Sequence, residues 1–287
     1  MKMLSGGLSP WVLAARPKTL AAAVVPVVVG FALARFAHGP SFVFALLGAL
    51  LIQVGTNFVN DALDFRKGAD THERLGPLRV TQAGLLSADA VLRGAYVCFA
   101  LAGLCGVPLV MRGGWPIVVI GVTSIVAAYA YTGGPYPLAY HGLGELFVMA
   151  FFGVVAVGGT FYLQRLVITR DAILAGVACG SLAIVLLAIN NLRDLASDRA
   201  SNKRTLAARF GPAFARVEIA AMALLPFALV AAIGFAGVLF VLPLALLVIV
   251  CAWRSEGRAL NRCLAFAGML EWAFGIAFAI CGFIATP

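Results

Sequence analysis

The stretch Asn57-Phe-Val-Asn60-Asp61-Ala-Leu-Asp64-Phe-Arg66-Lys67-Gly-Ala-Asp70 closes a long apolar run with amides and carboxylates. Such groups are expensive in a bilayer and mark function when a membrane segment keeps them. On a helix, positions 57, 60 and 64 follow the i, i+3, i+7 spacing of one face. Asn57, Asn60 and Asp64 therefore look into a common space, with Asp61 one step round. Asn190-Asn191-Leu-Arg193-Asp194-Leu-Ala-Ser-Asp198 ends a second apolar run in the same way, and 191, 194 and 198 repeat the spacing. Read as two membrane helix ends, these stretches decide the fold: an all-α polytopic protein whose helices surround a central cavity with a polar mouth.

Composition agrees, since 62% of the 287 residues are apolar and only 11% charged, outside the range of an ordinary soluble domain. Apolar windows of about twenty residues place spans near 19–37, 42–65, 89–111, 116–132, 143–163, 171–196, 213–233, 236–253 and 264–284, nine in all. They form one intramembrane domain, 1–287, with pseudo-repeated motifs at 57–70 and 190–204. Lys2 and Ala32-Leu33-Ala34 give the N-terminus features of a cleaved leader, but Arg16-Pro17-Lys18 interrupts the run, and the many following spans favour a retained first helix. Of the twelve acids, five (Asp61, Asp64, Asp70, Asp194 and Asp198) fall in or beside the two polar faces.

The net charge of +9 is explained by topology and not by nucleic-acid binding. With the N-terminus inside, seventeen Lys and Arg fall on the cytoplasmic side and four (Arg35, Arg112, Arg165 and Arg170) outside, a strong positive-inside bias. The mouth and N-terminus are thus expected on the cytoplasmic face of the cell (inner) membrane. The six cysteines, at 98, 105, 179, 251, 263 and 281, contain no C-x-x-C pair and lie in or beside apolar segments, so neither a disulfide nor zinc is expected.

Basic loops follow both acidic ends: 66–88 with Arg66, Lys67, Arg74 and Arg79, and 199–212 with Arg199, Lys203, Arg204 and Arg209. Facing carboxylate and amide oxygens suit Mg2+, which takes one or two carboxylates plus water and substrate phosphate. Lys67, Lys203 and Arg204 supply the other half of a diphosphate site. Asn60, Asp64, Asp194 and Asp198 are the expected metal contacts, and Asp64, Asp194 and Asp198 the catalytic carboxylates. A diphosphate held at the mouth of a bundle of apolar helices implies a lipid diphosphate whose tail lies among them. The loop 131–145, with Tyr131, Tyr136 and Tyr140 and no Lys or Arg, either walls this pocket beside Asn57 and Asn191 or anchors at the interface. A cation transporter also carries intramembrane acids, but here they sit at helix ends on one side.

The chain resembles the intramembrane aromatic prenyltransferases of the UbiA superfamily, and within it the branch that prenylates 1,4-dihydroxy-2-naphthoate. The family's first motif, N-D-x-x-D-x-x-x-D, is matched by Asn60, Asp61 and Asp64, and its second, D-x-x-x-D, by Asp194 and Asp198. Gly68 stands in the fourth place of the first motif, with the acid displaced to Asp70, as in the naphthoate branch. A Tyr-x-x-x-Lys motif of the 4-hydroxybenzoate branch would begin at Tyr131 but meets Pro135. Gly76-Pro77-x-Arg79-Val80-Thr81-Gln82-x-Gly84 and Lys203-Arg204-Thr205-Leu206 are further likenesses to the naphthoate branch. The resemblance implies nine helices, Asp61 and Asp70 among the Mg2+ contacts, Arg79 on the diphosphate, and a polyprenyl diphosphate and an aromatic acid as substrates. 4-Hydroxybenzoate and homogentisate are the alternative acceptors.

Overall fold

The computed structural model describes residues 9–68 and 75–284, and every regular element among them is helical. In chain order these are α1 (Pro10–Ala15), α2 (Ala21–Leu33), α3 (Gly39–Arg66), α4 (Ala88–Gly113), α5 (Trp115–Ala130), α6 (Gly144–Val148), α7 (Ala156–Arg165), α8 (Arg170–Arg193), α9 (Leu195–Ala200), α10 (Leu206–Ala232), α11 (Leu242–Arg254) and α12 (Leu260–Ile284). A π-helical turn, Met149–Val155, joins α6 to α7. Ser87, Thr169 and Thr205 cap α4, α8 and α10 by accepting from the amides of Ala90, Ala172 and Ala208, which satisfies otherwise orphaned donors. Gly68, with φ 69°, ends α3 in the left-handed region that glycine adopts freely.

Seven helices among the described residues are long and apolar enough to cross a membrane. An eighth is added if the bent pair Pro10–Thr19 and Ala21–Leu33, inclined by 49°, counts as one span. Trp115–Ala130 is apolar but has 16 residues, about 24 Å at 1.5 Å per residue, and the expected count of nine is not reached. Three further differences from expectation concern the chain's course. The first span is preceded by α1, set off by Arg16 in the left-handed region (φ 52°). The expected helix 171–196 ends at Arg193, and α9 resumes after Asp194. Cys251 and Cys263 are disulfide-bonded with their Cα atoms 5.6 Å apart. The turn between α11 and α12 brings the two sulfurs together, a proximity that spacing alone did not reveal.

Helix α8 is the hub. Leu182 and Ile189 are buried with Ile219 of α10 and Phe274 and Phe278 of α12 in the largest core cluster. Gly153 in the π turn meets Gly176 of α8 so closely that a Cβ on either would run into backbone, and Gly180 lies against Gly153 and Met149, the small-residue approach that membrane helices use. A second cluster joins α1, α3 and α4 through Ala14, Phe58, Val59, Val91 and Phe99. Between the two clusters the helices leave a cavity.

Candidate functional site

The cavity holds about 370 Å³ and is walled by α2, α3, α4, α5, α6, the π turn, α7 and α8. Asn57, Asn60, Tyr131 and Asn190 line one part of it, and Ala45, Leu109, Ile117 and Leu163 the other. Along α3, residues 45 to 60 span about 22 Å at 1.5 Å per residue, most of a bilayer's hydrocarbon thickness. Arg112 donates to the carbonyls of Leu163 and Gln164 beside the deep end.

At the mouth, Asp64 accepts from Tyr140 Oη at 3.0 Å and pairs with Arg79 at 3.3 Å. Asn60 Oδ1 accepts from the Thr132 hydroxyl. Asn57 donates to the Ala15 carbonyl at 2.9 Å and to Thr19 Oγ1 at 3.1 Å, which binds α3 to the N-terminal bend. Asp61 points elsewhere: its two oxygens accept the backbone amides of Val80 and Thr81 at 3.3 and 3.0 Å. It therefore holds the loop that delivers Arg79 to Asp64. Asp70 lies outside the described residues.

In the second motif, Asp198 is buried, 3.8 Å from Lys203 Nζ, and accepts from Thr205 at 3.4 Å. Asp194 is held by Arg193 through two bonds of 2.8 and 2.6 Å. Arg193 also donates to Asn261, which donates in turn to the Leu75 carbonyl, so the second motif is tied to the loop after the first. Asn191 turns from the cavity and donates to Glu145, while its neighbour Asn190 lines the cavity.

The loop between α5 and α6 joins the two motifs. Lys67 Nζ donates to the Thr132 carbonyl and stands 4.7 Å from the Tyr140 ring centre. Lys203 Nζ stands 5.6 Å from the same ring, and the Arg204 amide donates to the Tyr140 carbonyl at 3.0 Å. The Arg204 side chain is exposed. Tyr136 is exposed and stacks on His141 outside the cavity lining.

Electrostatics couples the two halves. Burial raises the Asp198 pKa to about 6; Lys203 works against this, while Asp194 and Asp64 add to it. Burial lowers the Lys67 pKa, against the pull of Asp64. Glu145, Thr132, Thr205, Gln53 and Thr19 are site residues that the motif spacing did not reveal. For Gln53 a signal existed, because it extends the face of Asn57 by one turn.

Among the described residues no three acids, histidines or cysteines form a group that could cage a metal. Asp61 accepts from backbone and Asp194 from Arg193, while Asp64 pairs with Arg79, Asp198 with Lys203, and the Asn60 carbonyl accepts from Thr132. That donor set fits Mg2+ shared with a substrate phosphate, because Mg2+ seldom uses an all-protein cage.

The profile of the UbiA prenyltransferase family matches residues 23–273. The chain is 40% identical over 263 residues to the 1,4-dihydroxy-2-naphthoate octaprenyltransferase of Haemophilus influenzae, covering 86% of this chain and 85% of the relative. It is 38% identical over 282 residues to the enzyme of the same name from Mycobacterium tuberculosis, covering 94% and 96%. A solved UbiA homolog from Archaeoglobus fulgidus bound to DMAPP and Mg2+ superposes with TM-score 0.68 at 16% identity, over 96% of this chain and 100% of that one. The apo structure of a UbiA homolog from Aeropyrum pernix gives 0.71 at 16% identity, over 91% and 97%.

Proposed function

Because the chain belongs to the UbiA prenyltransferase family, we propose that this multi-pass membrane protein transfers a polyprenyl group from its diphosphate to 1,4-dihydroxy-2-naphthoate, with Mg2+ and with loss of the acceptor's carboxylate. The observation that carries the reading is an apolar cavity of about 370 Å³ with Asn60 and Tyr131 in its lining, beside carboxylates and lysines from both halves of the chain. The positive-inside bias supports a mouth on the cytoplasmic face of the inner membrane.

Asp64, Asp198 and Asn60 would hold Mg2+, and the bound ion would offset charge on the departing diphosphate. Lys67 and Lys203 leave the Tyr140 ring and donate to diphosphate oxygens. Arg79, held against Asp64, adds a fixed guanidinium, and Arg204 stands at the rim. The allylic C–O bond breaks with its electron pair passing to the diphosphate. Phe147, Phe151, Phe152 and Tyr131 line the cavity, so the allylic cation meets aromatic faces and little water. The electron-rich ring then forms the new C–C bond, and departure of carbon dioxide returns an electron pair to the ring. No covalent nucleophile is required.

Label in the acceptor carboxylate should appear as carbon dioxide in step with prenylated product. Faster turnover of 4-hydroxybenzoate, or label retained in product, would assign the chain to another branch. Lys67→Ala and Lys203→Ala should each raise KM for the prenyl diphosphate about tenfold or more, the scale of one charge-assisted hydrogen bond. KM for the naphthoate should stay within about twofold, since these lysines meet only the diphosphate. An equal rise in both constants would reduce the lysines to topological signals.

A further inference from the structure

Gln53 lies one turn from Asn57 on the face of α3 that also carries Asn60 and Asp64. It is 7% exposed and lines the cavity. Its Nε2 approaches the Thr19 carbonyl at 3.5 Å and Thr19 Oγ1 at 3.4 Å. Its Oε1 is buried and has no hydrogen-bond partner among the described residues. The orientation of this amide follows from Thr19. A carbonyl can only accept, so the amide nitrogen belongs on its side and the oxygen on the other. The Thr19 hydroxyl has no hydrogen left for Gln53, because it donates to the Arg16 carbonyl at 3.0 Å. Thr19 is itself fixed by Asn57, whose amide donates to Thr19 Oγ1 at 3.1 Å.

A buried carbonyl without a donor is rare in native structures and calls for an explanation. A ligand that supplies an O–H relieves it, whereas a carboxylate, an ether oxygen or a prenyl tail does not. Gln53 lies eleven residues before Asp64, about 16 Å along the helix axis, which leaves room for a diphosphate and one aromatic ring between them. In the dihydroxynaphthoate of the preceding reading, the hydroxyl beside the carboxylate is held by that carboxylate, and the hydroxyl across the ring is free to donate. Resting on that reading of the acceptor, we propose that Gln53 Oε1 accepts a hydrogen bond from the hydroxyl remote from the carboxylate. Thr19 acts as the positioning residue that turns the amide. The pair makes an acceptor subsite that selects a ring with a free O–H at that place.

The test uses purified full-length protein with Mg2+, geranylgeranyl diphosphate and 1,4-dihydroxy-2-naphthoate, and with 1-hydroxy-2-naphthoate as a competitor lacking the remote hydroxyl. Gln53→Leu should raise KM for the naphthoate about tenfold or more, the scale of a hydrogen bond lost in a buried site, and leave KM for the diphosphate unchanged. Wild-type protein should bind the monohydroxy competitor more weakly than the substrate by a similar factor. Gln53→Leu should bind the two alike. An unmoved KM for the naphthoate, a parallel rise in both constants, or discrimination that survives in Gln53→Leu overturns the proposal and leaves the activity standing. Wild-type protein that prenylates 4-hydroxybenzoate but not the dihydroxynaphthoate overturns the acceptor reading, and the subsite with it.

Discussion

Asp64→Asn and Asp198→Asn are each expected to lower kcat by about 10²–10³-fold or more, the scale of removing one group that stabilises developing charge. The folded protein should survive both changes. Asparagine keeps nearly the same volume, and at Asp64 its remaining oxygen can still accept from Tyr140, which lies at 3.0 Å. At Asp198 the backbone carbonyl that accepts from the Lys203 amide at 2.8 Å is untouched. What changes is charge: Arg79 and Lys203 each lose a carboxylate partner, and the mouth loses half of its two-carboxylate donor set. The measurement is steady-state turnover in detergent alongside thermal unfolding and gel filtration. Full turnover in either variant, or full turnover of wild-type protein in excess chelator, would remove the metal from the mechanism.

Filling the deep part of the cavity should have an effect of similar size that depends on substrate length. Gly106 of α4 and Gly121 of α5 both line the cavity, and a Cβ on either meets nothing within 4 Å. Phenylalanine can therefore enter the free volume without pushing on backbone, and replacing glycine within a helix favours the helix by a few tenths of a kcal/mol or more. Gly106→Phe and Gly121→Phe are expected to lower kcat/KM for an octaprenyl diphosphate by about 10²-fold, since a tail unable to seat forfeits the apolar burial that positions C1. Dimethylallyl diphosphate, too short to reach these positions, should react at close to the wild-type rate. A uniform loss for long and short tails would mean that the tail lies elsewhere.

The polar ends of α3 and α8 were legible in the sequence because a carboxylate at a membrane helix end has few explanations, and the i, i+3, i+7 spacing gave each end a face. Which side chains that face delivers to the cavity was less legible. Adjacent positions on a helix differ by about 100° in direction, so Asn190 lines the cavity and Asn191 turns to Glu145, a choice set by how α8 packs against α10 and α12. The motif also cannot say which partner each acid meets. Asp61 secures the amides of Val80 and Thr81, and Asp194 is gripped by Arg193. Both roles depend on loops whose course no periodicity encodes. The Cys251–Cys263 bond was missed for the same reason, since it reports a turn between two helices and not a spacing pattern. Gln53 was within reach of the helical pattern, but the apolar neighbours around it made the polar face look as though it began at Asn57.

Tyr140 stands where the two halves of the chain meet. It receives Lys67 from the end of α3 and Lys203 from the turn after α9 on one ring, and it gives its hydroxyl to Asp64. A change at any one of these positions is judged by partners supplied from distant parts of the gene. Residues 57–67, 131–145 and 190–206 therefore form one contact unit, although they are far apart in the chain. Chimeras of relatives are expected to keep a working mouth only when all three segments come from one parent.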